Sequence, residues 1–197
     1  MRARSMQCAV VVSVLLIASL SACGGAGPRT PVAATSRPTH SAPHVVAAPL
    51  PSFSGSLAAE SDARAALAAY EAAWADIAAV EDDGNYQDPR LEDHLAGHLL
   101  LITSEDLYAA EQKGIASRGA PVLSPHVVAV DAAGNPPTVT VDDCIDARHF
   151  IQYYAATGQV YGTPATTDLA DTATVTLTNG SWMVTANNEE FGTPCTR

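Results

Sequence analysis

The sequence predicts an α+β domain over residues 60–197, in which N-terminal helices pack on an antiparallel sheet. Apolar residues recur every three or four positions before Gly114 and alternate with polar residues after Gly119. These spacings are typical of helices and strands respectively. Asn179-Gly180, between two alternating segments, is a strong signal for a tight β-hairpin. Because the helices precede the strands instead of alternating with them, an α+β fold is favoured over α/β.

The first 22 residues have the features of a bacterial signal peptide. Arg2 and Arg4 precede residues 9–20, which are uncharged and apolar. A helix of that length rises about 18 Å, short of the roughly 30 Å of a bilayer's hydrocarbon core, so a secretory signal is favoured over a membrane span. Leu20-Ser21-Ala22-Cys23 resembles a lipobox, which implies that Cys23 is acylated and anchors the chain to the extracytoplasmic face of the cell membrane. The alternative is an ordinary signal peptide that contains this cysteine by coincidence.

Residues 23–59 are predicted to be a disordered tether that begins at the lipidated cysteine. Pro and small or polar residues dominate this segment, and it has no apolar periodicity. Proline interrupts helices and central strands, and such a composition does not support a packed core. An apolar patch between Val45 and Phe53 could instead dock on the folded domain.

The first predicted helix spans Ser61–Asp83. Ser61 and Asp62 are candidate N-cap residues, and Gly84-Asn85 is expected to end the helix. One apolar stripe follows helical spacing and comprises Leu67, Tyr70, Trp74 and Ile77.

A second helical region is predicted from Pro89, a residue accepted in the first turn. Its apolar face comprises Leu91, Leu95, Leu99 and Ile102. Residues 104–106 could restart a helix that continues to Lys113 and stops at Gly114.

His94 and His98 fall on one side of this predicted helix. Their spacing is that of zinc-binding helices, but Leu95 occupies the position of the metalloprotease glutamate. We therefore expect one semi-buried and one exposed histidine. A place for His98 in the lining of a cavity is the alternative.

The second half of the chain predicts strands. A loop at residues 131–137 separates the first strand from the second, and the segment from His149 to Tyr154 could extend the second strand past a bend. The Asn179-Gly180 turn joins the last two strands. The four predicted strands are Val122–Val130, Thr138–Asp146, Ala173–Thr178 and Ser181–Thr185.

The acidity of the chain excludes some partners. The formal net charge is −11, and loss of Arg2 and Arg4 with a signal peptide would make it more negative. Nucleic-acid binding requires clustered Lys and Arg, and so does docking of a basic face on anionic lipid. We therefore expect no nucleic-acid partner, and a membrane partner only through the lipid at Cys23.

Two cysteines, Cys144 and Cys195, remain in the predicted domain. An exported protein meets an oxidising compartment, where paired thiols form disulfides, so we predict a bond that ties the C-terminal tail to the sheet. The alternatives are a reactive thiol acting with His149, and zinc binding by the pair, which lacks the close spacing of zinc motifs.

The order of elements resembles the nuclear-transport-factor-2-like superfamily: a long helix, a helical segment, and a curved antiparallel sheet ending in a hairpin and a Trp-containing strand. More narrowly, residues 141–146, residues 180–184 and the terminal Cys195 resemble secreted actinobacterial lipoproteins of this type. The resemblance implies a cone-shaped domain. The superfamily includes ketosteroid isomerases, polyketide cyclases and proteins without known activity. No enzyme motif matches position by position, so no catalytic role carries over.

Asp143 is the strongest candidate for a catalytic group. Strand alternation places it on the apolar face with Val141 and Ile145, where burial would raise its pKa and suit a general base. His98 or His149 would be its partner. A structural aspartate, hydrogen-bonded or at the open end of the sheet, is nevertheless the favoured interpretation.

Other site residues are weaker candidates. Tyr70 and Trp74 could line a cavity with His98 and Asp143, although core packing is the favoured interpretation of both aromatic residues. A calcium site formed by Asp142, Asp143 and Asp146 is disfavoured because alternation points these side chains apart. We expect no metal and no cofactor.

Two functions follow from these observations. The first is a cell-envelope lipoprotein whose cone domain is non-catalytic and binds a small apolar ligand or an envelope protein. The alternative is a small acid–base enzyme of the isomerase, cyclase or hydrolase kind that uses a polar pair in the cone. The sequence has no nucleophile elbow and no Gly-rich phosphate loop, which favours binding.

Overall fold

The computed structural model describes residues 57–190 and Cys195, together with the backbone of His44 and Val45. The predicted signal peptide, the lipobox at Cys23 and most of the predicted tether lie outside the described residues. Within the described part of the chain, no helix has the length and apolarity needed to cross a membrane.

The long first helix, α1, spans Leu57–Asp83. It begins before Ser61, so Ser61 and Asp62 lie inside the helix and the predicted N-caps are wrong. The helix ends where predicted, because Gly84 adopts a φ of 65° and its N–H donates to the Val80 carbonyl at 2.8 Å.

A face rich in alanine packs α1 against the sheet. Ala63, Ala66 and Ala73 are almost completely buried, and Tyr70 is the large buried residue among them. Small side chains allow the helix to approach the sheet closely. The other members of the predicted stripe, Leu67, Trp74 and Ile77, are only partly buried and pack at the margin of the core.

The second helical region is broken in two. Helix α2 spans Leu91–His94 and α3 spans Gly97–Gln112, with Leu95 and Ala96 extended between them. The Ala96 N–H donates to the Val184 carbonyl at 3.0 Å, so a bond to the sheet replaces a helical one. The predicted helical region is therefore divided at Leu95 and Ala96, and α3 runs through residues 104–106 without the restart considered there.

The described strands form three sheets. Strand β1, His44–Val45, pairs in parallel with β3, Val122–Leu123, while β2, Ile115–Arg118, pairs antiparallel with β6, Ile151–Tyr154. The main sheet is antiparallel in the order β4-β5-β7-β8. Its strands are β4 His126–Asp131, β5 Thr138–Ile145, β7 Leu169–Thr178 and β8 Ser181–Glu190.

Two strand predictions are corrected. The run from Val122 to Val130 is divided into β3 and β4, with Pro125 between them, because proline cannot donate to a strand ladder. The segment after His149 does not extend β5 but pairs with β2. Strand β7 lies between β5, which carries Cys144, and the last strand β8, and pairs with both.

The predicted hairpin is confirmed. Asn179 and Gly180 both adopt positive φ, 52° and 88°, as a tight turn that matches the strand twist requires. The buried face of the sheet, which includes Val139, Val141 and Val175, meets the alanine face of α1 in one core. Helices packed on an open antiparallel sheet make the domain α+β.

Candidate ligand-binding cavity

A cavity of about 210 Å³ lies between α1, α3, β2 and the main sheet. Its apolar wall combines the part of α1 that does not reach the core with the residues around the α2–α3 break. The principal apolar lining residues are Trp74, Ile77, Leu95, Leu99, Leu107 and Val184. The partial burial of Trp74 and Ile77 follows from this position at the edge of the core.

Every charged residue that lines the cavity is acidic. Glu81 comes from α1, Asp106 from α3, Asp171 from β7 and Glu189 from β8. No Lys, Arg or His occurs among the described residues of the lining. Four acidic residues from four elements therefore line the same cavity.

Three acidic residues form a row across the main sheet. Asp143 on β5 is the direct partner of Asp171 on β7, and Asp171 is the direct partner of Glu189 on β8. Asp143 is 4% and Asp171 3% exposed. Like charges directly opposite each other destabilise a sheet, so the row must share protons or attract a cation.

The Tyr70 hydroxyl joins two members of this row. It donates toward Asp143 Oδ2 and Asp171 Oδ2, each at 3.0 Å. A phenol carries one hydrogen. Both short contacts are therefore full hydrogen bonds only when one carboxyl is protonated and donates to the phenol oxygen.

The pKa values of the cluster support this sharing of protons. Burial raises the pKa of Asp143 to about 6, against an opposing effect of the bonds from Ser124 and Tyr70. Burial also raises the pKa of Asp171, opposed by Tyr70 and by backbone amides. The pKa of Tyr70 is raised by burial and then by the two carboxylates, so the phenol remains protonated.

Two further acids of the cavity are held by polar neighbours. Burial raises the pKa of Glu81, which accepts a hydrogen bond from Ser117 Oγ that opposes the shift. Burial also raises the pKa of Glu189, whose Oε1 accepts a bond from Asn187 Nδ2 at 3.2 Å. Burial therefore favours the neutral form of both side chains.

The structure brings together only some of the predicted site residues. Tyr70 and Trp74 line the cavity. Asp143 faces the interior but does not line the cavity, because its Oδ1 accepts the Ser124 N–H at 2.7 Å and its Oδ2 contacts Tyr70.

The histidines take no part in the cavity. His98 and His149 are exposed, so neither reaches Asp143 and the predicted acid–base pairs do not form. His98 is the exposed member of the histidine pair and His94 the half-buried one, so the alternative that His98 lines a cavity is wrong. His94, on a different helix, pairs through Nδ1 with Asp76 Oδ2 at 2.7 Å.

No group of three His, Cys, Asp or Glu side chains in the described residues is arranged to hold a metal ion. The three aspartates of the disfavoured calcium site have separate partners. Asp142 accepts from Thr172 Oγ1 at 2.8 Å, and Asp146 accepts from Arg148 Nε and Nη2, each at 2.7 Å.

The two cysteines of the domain lie at bonding distance. The Cα atoms of Cys144 and Cys195 are 5.7 Å apart and their sulfur atoms are joined, at the separation of about 5.5–6 Å that is most common for disulfides. The predicted pairing is therefore present. Because its sulfur is bonded to that of Cys195, Cys144 has no free thiol to act as a nucleophile.

Sequence reasoning missed the four acidic lining residues. For Asp171 a signal existed, because it alternates with Ala173 and Val175 on one strand face. The predicted strand began at Ala173, two residues after Asp171, and therefore did not include it. Glu189 was missed in the same way, since the predicted last strand ended at Thr185. For Glu81 and Asp106 no local signal distinguishes a lining residue from a solvated one.

Comparison with known proteins adds little. No protein-family model matches the chain, and no curated protein matches it. Among solved structures, it is similar to the crystal structure of the intermembrane space region of the chloroplast protein ARC6, with 18% identity and a TM-score of 0.43, over 65% of this chain and 95% of that one. A likeness at this level carries no argument about function.

Proposed function

We propose that this chain is an exported lipoprotein whose α+β domain is a cone of the nuclear-transport-factor-2-like kind and binds a small ligand. The observation that carries the proposal is the cavity of about 210 Å³ between α1, α3 and the sheet. Pockets with apolar walls and a few convergent polar groups are the usual form of a small-molecule site. The lipobox at Cys23 supports anchoring to the cell membrane.

Register irregularities in the main sheet support the cone. The pairing of β4 with β5 is irregular between Val127 and Ala129, and that of β7 with β8 is irregular between Thr174 and Val175. Such bulges bend a strand and increase its twist. A sheet bent around α1 and α3 would leave a hollow between its concave face and the helices, where the cavity lies.

Binding is favoured over acid–base catalysis because the expected catalytic pair is absent from the cavity. Asp143 is held by Ser124 and Tyr70, and the exposed His98 and His149 do not approach it. A general base needs to reach the proton that it removes.

One observation supports an acid–base enzyme as the second candidate. Asp171 lines the cavity, and its Oδ1 has no hydrogen-bond partner among the described residues. A buried carboxylate with a free oxygen is a possible general base. Catalysis would then depend on Asp171 rather than on Asp143.

Filling the cavity tests the binding function. Ala110 lines the cavity, whereas Ala109 is exposed on the same helix, so Ala110→Trp and Ala109→Trp make a matched pair. The measurement is saturation-transfer NMR of the full chain in detergent against a mixed set of neutral, cationic and anionic fragments. Circular dichroism verifies that each variant is folded, and Ala110→Leu serves as a smaller filler.

Fragments should bind the wild-type chain and Ala109→Trp, and should lose their signals in Ala110→Trp or Ala110→Leu. Equal signals in all the variants would place binding outside the cavity and contradict the proposal. Absence of any bound fragment would contradict it as well.

A further inference from the structure

We infer that the ligand is a small organic cation, with an ammonium group held by the carboxyl groups of the cavity and a short apolar body held by its aromatic wall. The inference rests on the proposed ligand-binding function and specifies the chemical class of that ligand.

The charge of the cavity selects a cation. Glu81, Asp106, Asp171 and Glu189 all line it, and no basic residue of the described lining offsets them. In a partly desolvated space, an anionic ligand would be repelled by any of these carboxyl groups that ionises. An ammonium ion would instead stabilise the ionised forms that burial disfavours, above all at Asp171 and Glu189, which are direct partners on adjacent strands.

Asp171 supplies an unused hydrogen-bond acceptor at the base of this site. Its side chain is 3% exposed, its Oδ2 contacts Tyr70, and its Oδ1 has no partner among the described residues. A buried polar atom without a partner calls for an explanation, such as a ligand. An ammonium group carries three donors and no acceptor, so it matches this atom.

The rest of the wall suits an apolar body of limited size. Trp74 and Tyr86 line the cavity, and aromatic faces attract cations. The cavity, about 210 Å³, is smaller than the roughly 300–1,000 Å³ of typical drug-sized sites. The ligand is therefore a compact amine rather than a lipid.

A series of probes with the same phenethyl body and a cationic, neutral or anionic head group tests the inference. The probes are phenethylammonium, phenethyl alcohol and hydrocinnamate, titrated into the full chain in detergent by isothermal calorimetry. Phenethylammonium should bind at least about tenfold more tightly than the alcohol, since charge-assisted bonds are the stronger kind. Hydrocinnamate should not bind.

A pair of neighbouring variants locates the effect. Glu189 lines the cavity, while Glu190 is exposed, so Glu189→Gln and Glu190→Gln change the net charge equally. Glu189→Gln should weaken phenethylammonium binding at least about fivefold and leave the alcohol unchanged. Glu190→Gln should leave both unchanged. Asp171→Asn makes the same change in charge at a second position inside the cavity.

The outcomes separate the two claims. Equal affinity for the ammonium and the alcohol, with both lost on filling the cavity by Ala110→Leu, would overturn the cation inference and leave the binding function standing. Preference for hydrocinnamate would do the same. If Glu189→Gln and Glu190→Gln weakened phenethylammonium binding equally, the selectivity would arise from general surface charge, and the inference would be overturned. If no probe and no fragment bound, both claims would fail.

Discussion

Asp143 and Asp171 lie directly opposite each other on β5 and β7, and both side chains are buried. The one hydroxyl of Tyr70 contacts both carboxyl groups. Burial of an ionised carboxylate carries a large desolvation cost. Burial of apolar groups alone would therefore not bring two such side chains together. The pair therefore links the protonation of the core to the stability of the domain.

Stability should increase as the pH falls from 8 to 5. The pKa of Asp143 is raised by burial from 3.8 to about 6, so the folded state binds a proton more strongly than the unfolded state. The resulting stabilisation is complete below the unfolded pKa and is lost as the pH rises through about 6. It amounts to at most about 3 kcal/mol for this group.

Urea denaturation at pH 5 and pH 8 measures this dependence. In Asp143→Asn the difference between the two values should be smaller, because the titrating group is gone. Asp142→Asn, whose side chain is not buried, is the matched control and should behave as wild type. An unchanged pH dependence in Asp143→Asn would show that Asp143 does not titrate as described.

Tyr70→Phe should lower the free energy of unfolding by about 1–3 kcal/mol, the cost of leaving buried acceptors without a donor. The change removes the hydroxyl that contacts Asp143 and Asp171 and leaves the ring in the core. Tyr154→Phe, at a residue that is 38% exposed, should change stability by less than about 0.5 kcal/mol. Equal effects of the two changes in chemical denaturation would show that the shared hydroxyl contributes nothing.

The bond between Cys144 and Cys195 should leave no free thiol in a chain that carries Cys8→Ala and Cys23→Ala. The chain has four cysteines, so this variant isolates the pair. Its thiols are titrated after denaturation without reductant. Reduction should then destabilise the domain by about 2–5 kcal/mol, because the bond closes a long loop. Two reactive thiols before reduction would refute the bond.

Cys23→Ala should release the chain from membranes. A lipobox cysteine carries the acyl chains, and two or more chains give durable anchoring. The measurement is detergent phase partitioning of the wild type, Cys23→Ala and Cys8→Ala, of which the last should behave as wild type. Equal membrane retention of wild type and Cys23→Ala would contradict lipid anchoring at this residue.

Local patterns predicted the elements whose causes are local. The Asn179-Gly180 turn, the end of α1 at Gly84 and the inward orientation of Asp143 each depend on a few neighbouring residues, and each occurs as predicted. Turn geometry, left-handed glycine and strand alternation act over two to four residues. No distant contact changes their outcome here.

Elements that depend on distant contacts were predicted wrongly. Leu95 and Ala96 belong to a helical pattern, yet Ala96 bonds to Val184, nearly ninety residues away. The pairing of Asp171 with Asp143 depends on the register of two strands separated by a long connection. Register between distant strands is set by packing of the whole sheet, so the acidic cavity was not visible in the sequence.

The most direct test of the binding site uses the emission of Trp74. The chain has two tryptophans, so Trp182→Phe leaves Trp74, in the cavity wall, as the sole reporter. Titration with phenethylammonium should change Trp74 emission saturably, and Glu189→Gln should shift that titration to higher concentration. The reciprocal variant, Trp74→Phe, should show no change at Trp182. A response of Trp182 without a response of Trp74 would contradict binding in the cavity.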